Sequence, residues 1–500
     1  MADGLPLQCV WVRPERVDGR LDTRPFKPWV IASVERCLGF VDGTIRLGSP
    51  GVCSQLSRGV GGGLASERPV AVLKAKEVTG YGFSKPEIFL ADCPSEKLLR
   101  ADDVVLTSSG IGTIGRAELV DRHCWPGGAQ YTVDNHVTII RLRTAAILPG
   151  YLAAFLNSSY GKAWSEWGTT GSTRLLELAP AMVRQFAIPR AHINVQAHVA
   201  SRLDLASQCR AASVARLQAA HDALGSALGV DLKPETFDVR SAASVSADGY
   251  QVASLSPVMS YVAPTRVGSQ ISPQFFTPRR AKALLIIERS GVDSVPLRAL
   301  AERYTARISS DEVGKQQLPF VGLEQIDPAT GYVARASGAE PAGTSASFSA
   351  GDILFSKLRP YLNKVAICPP HFVNAAGSTE LLTYRVKKGI DPYYLYFAIR
   401  SQLVLNQVID ITSGLTHPRI DPGLVDEIVI PVAEPAAQKR IGRLVRDALA
   451  LKHRALVLVD EARSDVEALI EGLLDVDAIL AGRRKAPSVD DVPELVESRA

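Results

Sequence analysis

The feature that most constrains this chain is an internal duplication. The stretch Val10–Pro28 aligns without gaps on Ser260–Pro278, a shift of 250 residues from position 10 to position 260. Six residues are identical across this shift: Val12/Val262, Pro14/Pro264, Arg16/Arg266, Val17/Val267, Phe26/Phe276 and Pro28/Pro278. Two copies of one unit in a chain predict a pseudo-two-fold molecule, whose target also has two halves.

Two further segments recur in the same order. The run Ala101–Ala117 matches Ala350–Ala366 in its alternation of apolar and polar residues. An Ile-Pro pair followed by a glutamine seven residues after the proline occurs twice, at Ile188-Pro189 with Gln196 and at Ile430-Pro431 with Gln438. The duplication therefore extends over most of the chain.

Each half is predicted to contain short strands, then a short helix, then a long helix. Strand-like runs separated by turn residues lie in both halves, at Val104–Ser109, His136–Arg143, Gly351–Leu358 and Glu380–Val386. Short helical runs follow at Gly150–Ser159 and Pro392–Gln402. The predicted fold class is α+β, with two tandem mixed α/β domains that are each followed by a long helix.

The long helices carry apolar residues at steps of mostly three and four. In the first helix these are Val195, Val199, Leu203, Ala206, Val214, Leu217, Leu224 and Leu228. In the second helix they are Ile441, Leu444, Ala448, Leu451, Ala455, Leu458, Ala462, Val466, Leu469 and Leu473. Such a stripe marks a helix that packs against another helix, so we expect the two to pair. The alternative is that each helix packs only on its own domain.

These patterns give expected boundaries. A Ser- and Ala-rich stretch, Glu235–Val258, is expected to link the halves, and the polar residues after Gly482 are expected to form a loose tail. The expected parts are a first domain at 1–190, a long helix at 191–232, a linker at 233–259, a second domain at 260–432, a second long helix at 433–480 and a flexible tail at 481–500.

Composition excludes several classes of protein. No apolar run approaches the roughly 18 residues of a membrane span, and the N-terminal residues lack the pattern of a secretory signal. The seven cysteines are scattered without a CxxC pair, which argues against a disulfide framework and a zinc site. We therefore expect a cytoplasmic protein without metal or membrane partner. The net charge of +4 neither requires nor excludes nucleic acid.

One motif resembles a dinucleotide site. Residues Gly110–Gly115 spell GxGxxG after a strand-like run, and Asp134 lies near the spacing of a ribose-binding acid. Such a site needs a helix to begin at its glycines, yet Trp125-Pro126-Gly127-Gly128 follows too soon, and the second copy has Arg359, Pro360 and Lys364 in place of the glycines. A glycine-permitted turn between two strands is the better interpretation.

No other catalytic pattern is convincing. The strings nearest to the Pro-Pro-Tyr motif of amino-methyltransferases are Asp391-Pro392-Tyr393-Tyr394 and Cys368-Pro369-Pro370-His371, and each departs from it at a key position. Clustered acids of a nuclease are not evident, and the histidines show no ligand spacing. We therefore expect no catalytic residues and no cofactor in this chain.

Polar and basic residues recur at matching places in both halves. Arg, Lys, Asn, Ser and Thr are the residue types that contact phosphates and base edges, so these clusters are predicted to contact DNA. The alternative for any single residue is an ordinary solvated loop position. The predicted DNA-binding residues are Ser108, Ser109, Thr113, Arg116, Thr173, Arg174, Ser356, Lys357, Arg359, Asn363, Lys364, His417 and Arg419.

The order of these motifs resembles the specificity subunit of type I restriction–modification systems. The residues that carry the resemblance are Gly19–Pro28, Gly351–Ala366, the loops Gly168–Leu178 and Thr412–Ile420, and the repeated Ile-Pro…Gln before a long helix. The resemblance covers nearly the whole chain except the C-terminal tail. The first copy departs from the pattern at Gly110–Gly115, which implies that the two domains recognise different bases.

This resemblance implies two target-recognition domains, each recognising one half of a split double-stranded DNA sequence. The long helices would pair as an antiparallel coiled coil, fix the gap between the half-sites and dock two modification (methyltransferase) subunits that bind S-adenosylmethionine; restriction subunits could join. The helix residues expected to serve this assembly are Val199, Leu203, Leu217, Leu224, Ile441, Leu444, Leu451, Leu458 and Leu469. Two alternatives stay open: a single-chain methyltransferase or nuclease with a diverged active site, and a coiled-coil scaffold without a nucleic-acid role.

Overall fold

The chain forms two compact units, described from a computed structural model. The first unit comprises Met1–Ala212 and Ala450–Ala500, and the second comprises Ser213–Leu449. The residues that the structure describes are 23–61, 70–84, 90–91, 93–123, 130–171, 176–237, 239, 250–255, 258–267, 271–334 and 343–496. The matching segment Val10–Pro28 therefore lies largely outside the described residues.

Helices occupy both units, and α5 and α13 contribute to each of them. In chain order the helices are α1 Pro28–Leu38, α2 Pro149–Asn157, α3 Ser159–Gly168, α4 Pro180–Val183, α5 Ile193–Leu228, α6 Pro264–Val267, α7 Pro278–Ser290, α8 Leu297–Leu300, α9 Ser310–Gln316, α10 Pro392–Arg400, α11 Gln402–Leu405, α12 Pro422–Asp426, α13 Pro435–Glu471, α14 Val476–Leu480 and α15 Pro493–Val496.

The strands of the first unit are β1 Thr44–Arg46, β2 Cys53–Arg58, β3 Val70–Leu73, β4 Leu90–Ala91, β5 Val104–Thr107, β6 Ala117–Leu119, β7 Tyr131–Val133, β8 Val137–Leu142 and β9 Ala187–Pro189. Those of the second unit are β10 Tyr250–Leu255, β11 Val258–Val262, β12 Ser294–Pro296, β13 Ala301–Tyr304, β14 Arg307–Ile308, β15 Phe320–Val321, β16 Ser345–Ser349, β17 Ile353–Ser356, β18 Val365–Ile367, β19 Asn374–Gly377, β20 Leu381–Val386 and β21 Val429–Pro431. The four sequence-predicted strand runs and both short helical runs are confirmed as β5, β8, β17, β20, α2 and α10.

The two units share one sheet topology. An antiparallel sheet has the order β2-β8-β5-β6 in the first unit and β13-β20-β17-β18 in the second. A second sheet contains a parallel pair in each unit, β3 with β7 and β15 with β19. A two-stranded ribbon, β1-β9 or β12-β21, precedes each long helix. The predicted fold class, two tandem mixed α/β domains that are each followed by a long helix, is confirmed.

The ribbons show the duplication residue by residue. Ile45 pairs with Ile188 in the first unit, and Val295 pairs with Ile430 in the second. The glutamine after each Ile-Pro pair has one role: Gln196 Nε2 donates to Ala191 O, and Gln438 Nε2 donates to Ala433 O, both at 2.8–2.9 Å. The Ile-Pro…Gln motif is thus the junction between ribbon and long helix.

The central strands are covered on both faces, which explains their continuous apolar sequences. Val104 and Leu106 of β5 pack into one core, and Val105 packs into another on the opposite face. In β17 the same alternation places Ile353 and Phe355 in one core and Leu354 in the other. Each such side chain contributes about 1.5–3 kcal/mol when it leaves water.

Two connecting segments contain regular structure that their composition did not indicate. Tyr250–Leu255, within the expected linker, form strand β10, which pairs with β11, because Tyr250 and Val252 alternate into a small core. The expected loose tail is ordered over its described part, since Val492 and Leu495 are buried against residues of α5 and α13 in the first unit. The polar composition of this segment gave no indication that these two apolar side chains are buried.

Candidate nucleic-acid interface

The Gly110–Gly115 motif forms a hairpin turn, here called the first turn (residues 108–116). It joins the antiparallel strands β5 and β6, and Gly110, Gly112 and Gly115 adopt φ of +99°, +79° and +84°. The turn is held from within: the Arg116 N–H donates to Thr107 Oγ1 at 3.0 Å, and Arg116 Nη2 donates to Gly112 O at 2.7 Å. No helix begins at these glycines, so the turn interpretation is confirmed and a dinucleotide cradle is excluded here.

Asp134 has a local structural role that replaces the ribose-binding one. Its Oδ1 accepts a hydrogen bond from the His136 backbone N–H at 3.0 Å, closing the turn between β7 and β8. Burial raises the pKa of this carboxyl group above its ordinary value, and the His136 hydrogen bond opposes that rise.

The second turn (residues 357–364) occupies the equivalent place between β17 and β18. Its first and last kinks lie at Arg359 and Asn363, with φ of +49° and +51°, where the first turn has glycines. The Arg359 N–H donates to Pro418 O at 2.8 Å, and Arg359 Nη2 donates to Thr416 O at 3.3 Å. These bonds hold a left-handed backbone that a non-glycine residue otherwise disfavours.

A hairpin loop lies beside each turn. In the second unit, the loop is closed by hydrogen bonds between Ser413 and Arg419, both 2.8 Å, and Leu358 bridges to Arg419. In the first unit, Thr170 and Glu177 close the corresponding loop, and Ser109 bridges to Glu177. The structure thus brings the turn residues and the loop residues together in each unit. Thr173 and Arg174 lie outside the described residues, so their role stays a prediction.

Several predicted DNA-binding side chains are used inside the protein. Ser108 and Ser356 are buried, and Ser108 Oγ lies 2.6 Å from Thr138 Oγ1. Lys364 Nζ donates to Leu323 O at 2.6 Å, and Asn363 Nδ2 donates to Arg400 O at 2.9 Å. These four residues build the turns.

Other predicted side chains in the first unit support the first turn. Thr113 Oγ1 donates to Ser109 O at 2.9 Å, and the Arg116 guanidinium donates to Gly112 O. Ser109 Oγ lies 2.5 Å from His136 Nδ1 near the surface. Sequence reasoning did not select His136, although it lies in the β8 run.

The second unit keeps three predicted groups near the surface. The Lys357 ammonium meets no acceptor in the described part of the chain, and His417 is exposed. Arg359 Nε is buried and lacks a partner among the described residues, while Arg359 Nη2 donates to Thr416 O near the surface. Arg419 differs, because its guanidinium binds the Glu380 carboxylate through three hydrogen bonds of 2.9–3.1 Å, which raise its pKa. Lys357 and His417 therefore retain side-chain donors for an external acceptor.

The turns and the second loop also expose apolar side chains that sequence reasoning missed. Ile111 is 64% exposed at the tip of the first turn, and Tyr361 is 47% exposed at the tip of the second. Leu415 is fully exposed at the tip of the loop closed by Ser413 and Arg419. A bulky apolar residue inside a turn motif is the signal that could have identified them.

The long helices pack against each other antiparallel within each unit. In the first unit, Val195 and Val199 share a core with Val466 and Leu469, while Cys209 lies with Leu451. In the second unit, Leu224 and Leu228 share a core with Ile441 and Val445. The predicted mutual pairing is confirmed.

The predicted assembly residues are mostly enclosed by this pairing. Val199, Leu224, Ile441, Leu451, Leu458 and Leu469 are buried within the chain, whereas Leu203, Leu217 and Leu444 are half-buried. Their contacts are with the chain's own helices and adjoining core, so contact with a partner subunit stays a prediction.

A buried polar cluster interrupts the apolar stripe in the first unit. Asp465 on α13 lies 3.1 Å from Arg202 Nη1, 3.5 Å from His198 Nε2 and 2.8 Å from Arg484 Nη2. Glu461 lies 3.5 Å from the Arg202 guanidinium. Burial, reinforced by the Arg202 charge, lowers the pKa of His198. The spacing of His198 and Arg202, four residues apart on α5, could have indicated that they share a face.

The two strings that resembled methyltransferase motifs are structural. Asp391 is the N-cap of α10, where Oδ1 accepts the Tyr393 and Tyr394 N–H groups at 2.9 and 3.0 Å. Tyr394 donates its hydroxyl to Pro431 O at 2.8 Å. Cys368 is buried, which raises the pKa of its thiol to about 12. These side chains are already satisfied by the fold.

The described residues include no helix long and apolar enough to cross a membrane. Among them, no cluster of three His, Cys, Asp or Glu side chains is arranged for a metal ion. The cysteines within the described ranges are free thiols, and Cys9 and Cys124 lie outside those ranges.

Comparison with known proteins gives structural likeness without a sequence match. No protein-family profile and no curated protein matches the chain. It is similar to the type I restriction-modification S subunit from M. genitalium, with a TM-score of 0.40 and 13% identity, covering 89% of this chain and 96% of that one. It is also similar to the HsdS subunit from Thermoanaerobacter tengcongensis, with a TM-score of 0.28 and 13% identity, covering 86% of this chain and 97% of that one. A third similar chain comes from a structure of complex assembly and conformational transition of the type I R-M system, with a TM-score of 0.28 and 14% identity, covering 86% of this chain and 98% of that one.

Proposed function

We propose that this chain is the DNA sequence-specificity subunit of a type I restriction–modification complex. Each unit recognises one half of a two-part double-stranded target, and the chain directs methyltransferase subunits that supply the active site. The motifs of the sequence suggest this role, and the geometry of the two turns supports it.

The observation that carries the proposal is that both units build the same exposed turn from different residues. The scaffold is shared: antiparallel strands, positive φ at both ends of the turn, and a hairpin loop alongside. The tips differ, with Ile111 in one unit and Tyr361 in the other. A backbone arrangement shared by both units, with different side chains at the tips, suits two recognition elements for two different half-sites.

Donors at the second turn fit a nucleic acid. Lys357 is half-exposed and His417 is exposed, while Arg359 Nη2 lies near the surface beside Thr416. Cationic donors of this kind contact phosphate oxygens and guanine edges. Because the net charge of the chain is only +4, attraction to DNA would come from such local groups.

The same proposal assigns methyl transfer to partner subunits. The glycine motif is a hairpin turn and the Asp391 string is a helix cap, so neither fits S-adenosylmethionine or a target base. In the proposed complex the methyl donor is bound by the modification subunits. These dock on the outward faces of α5 and α13, because the apolar stripes of these helices are enclosed by the chain itself.

Co-expression with type I modification subunits tests the proposal. The complex is purified, its retention of duplex DNA at low salt is measured, and methylated bases are mapped across the host genome. We expect one split motif whose two parts are separated by a fixed gap. A complex that forms but neither retains duplex DNA nor methylates any motif contradicts the proposal and favours a scaffold.

The enzyme alternative has its own assay. The purified chain alone is incubated with DNA and S-adenosylmethionine, or with DNA and Mg²⁺. We expect no methylation and no cleavage without the modification subunits. Activity of the chain alone, lost on removal of donor or metal, favours a diverged single-chain enzyme.

A further inference from the structure

The two turns are equivalent in backbone as well as in position. The residue at which each turn leaves its first strand has positive φ, Gly110 in the first turn and Arg359 in the second. The residue before the return strand region also has positive φ, Gly115 and Asn363 respectively. The kinks bracket four residues in the first turn and three in the second, so the two tips lie in corresponding turns of slightly different length.

Both turns are rigidly supported from the protein side. In the first, the side chains of Thr107, Thr113 and Arg116 bond to backbone atoms of the turn. In the second, Arg400 Nη1 donates to Asn363 O at 2.9 Å and to Val365 O at 2.7 Å. These bonds hold the backbone of each turn on either side of its tip.

Each rigid tip nonetheless exposes a bulky apolar side chain. Ile111 is 64% exposed and Tyr361 is 47% exposed, each between the two kinks of its turn. In the second unit Leu362 and Leu415 extend the apolar surface, with exposures of 37% and 103%. Isolated exposed apolar residues are common, but one at the tip of each of two corresponding turns points to a shared kind of contact.

The neighbours of these tips identify the kind of contact. Arg359 is bonded to Thr416 beside Leu415, and Lys357 lies two residues before it. Apolar tips beside cationic groups fit the major-groove edge of a base pair, where aliphatic and aromatic side chains contact the thymine methyl group. The flanking cations would contact the adjacent phosphates.

We propose that Ile111 and Tyr361 are specificity-determining residues, each contacting bases in one half of the DNA target through the tip of its turn. This inference rests on the proposed function and deepens it. Ile111 contributes van der Waals contact and Tyr361 contributes a ring face, so the half-sites are discriminated by different chemistry.

The experiment uses the complete complex with modification subunits. Ile111→Ala, Tyr361→Ala and Tyr361→Phe are compared with the exposed apolar controls Val41→Ala and Val373→Ala. Genome-wide methylation gives the recognised motif, and binding to cognate and unrelated duplexes gives the specificity ratio. Thermal unfolding verifies that each variant folds.

We expect Ile111→Ala to relax or change one half of the motif and Tyr361→Ala the other half. Each should lower the ratio of cognate to unrelated affinity by about tenfold, with both controls unchanged. Tyr361→Phe should retain the ratio if the ring contacts a thymine methyl group, and reduce it if the hydroxyl bonds a base edge; either result supports a base contact.

Three outcomes overturn the inference. If the wild-type complex methylates a split motif and both alanine variants keep motif and affinity, the tips do not determine specificity while the proposed function stands. If the variants lose modification subunits in pull-down but keep DNA affinity, the tips contact protein instead. If the wild-type complex fails to bind duplex DNA, the proposed function and this inference fail together.

Discussion

At the scale of single residues, Arg359 is in a backbone conformation that glycine would adopt more easily. Its φ of +49° matches the site of Gly110 in the first unit, and the left-handed conformation costs a non-glycine residue about 1–2 kcal/mol. The fold compensates with hydrogen bonds to Pro418 and Thr416. The guanidinium takes part in this compensation through its Nη2 bond to Thr416 O.

Replacing Arg359 separates backbone strain from DNA contact. Arg359→Ala removes the guanidinium and keeps the strain, whereas Arg359→Gly removes both. We expect both variants to weaken DNA binding by the complex by about 1–3 kcal/mol, while Arg359→Gly is the more stable of the two by up to about 1 kcal/mol. Urea denaturation and duplex binding are the measurements. Wild-type affinity in both variants would exclude Arg359 from the interface.

His198 provides a second residue-scale prediction, through pH. Burial lowers the pKa of His198 below its ordinary 6.5, with Arg202 and Arg484 adding to the shift and Asp465 opposing it. The unfolded chain then binds more protons, so this contribution to stability is complete above the ordinary pKa and is lost as the pH falls below it.

The matching experiment compares the wild type with His198→Gln. Between about pH 7.5 and about pH 5, the free energy of unfolding should fall more steeply for the wild type than for the variant. Equal slopes would show that His198 does not titrate differently in the folded and unfolded chains.

At the scale of elements, the helix pair combines an apolar stripe with a buried ionic cluster. The apolar residues stabilise pairing, while Asp465 with Arg202 and His198 specifies which turns of α5 and α13 meet, because a shifted register would leave a buried charge unpaired. Val492 and Leu495 of the C-terminal segment cover part of the same pair in the first unit.

Charge placed in the stripe should disrupt the chain itself before it affects any partner. Leu451 and Leu458 are fully buried in the first unit, so Leu451→Asp or Leu458→Asp is expected to cost about 3 kcal/mol or more. Co-purification of modification subunits should fall in parallel with stability. Ser464→Asp, on the exposed side of α13, is the matched control. Leucine variants with wild-type unfolding midpoints would contradict the helix packing.

At the scale of the whole molecule, the structural features that could be predicted from the sequence are those with a local pattern and those that occur in both halves. The apolar runs around Val105 and Leu354 predict buried strands, and the Ile-Pro…Gln repeat predicts the start of each long helix. The parallel pairing of β3 with β7 joins segments that are distant in sequence, so no local pattern predicts it. The positive φ of Arg359 likewise depends on the distant Pro418 carbonyl, and the inward donation of Lys364 depends on Leu323. Residue type alone therefore selected Lys364 and Lys357 equally, although only the second keeps a free ammonium among the described residues.

If the chain binds DNA as proposed, its net charge of only +4 means that the affinity depends on the arrangement of its charges, and salt dependence measures that arrangement. Lys357 follows the end of β17 at which Ser356 pairs with Leu381, while Lys388 lies beyond the opposite end of β20. If Lys357 contacts a phosphate, Lys357→Ala should weaken binding of the complex to cognate and unrelated duplexes alike. It should also reduce the slope of log K against log salt by about 1.

Lys388→Ala should leave the slope unchanged, because its charge lies at the far edge of the sheet. An unchanged slope for Lys357→Ala, or an equal loss for Lys388→Ala, would mean that the DNA lies against another face of the second unit.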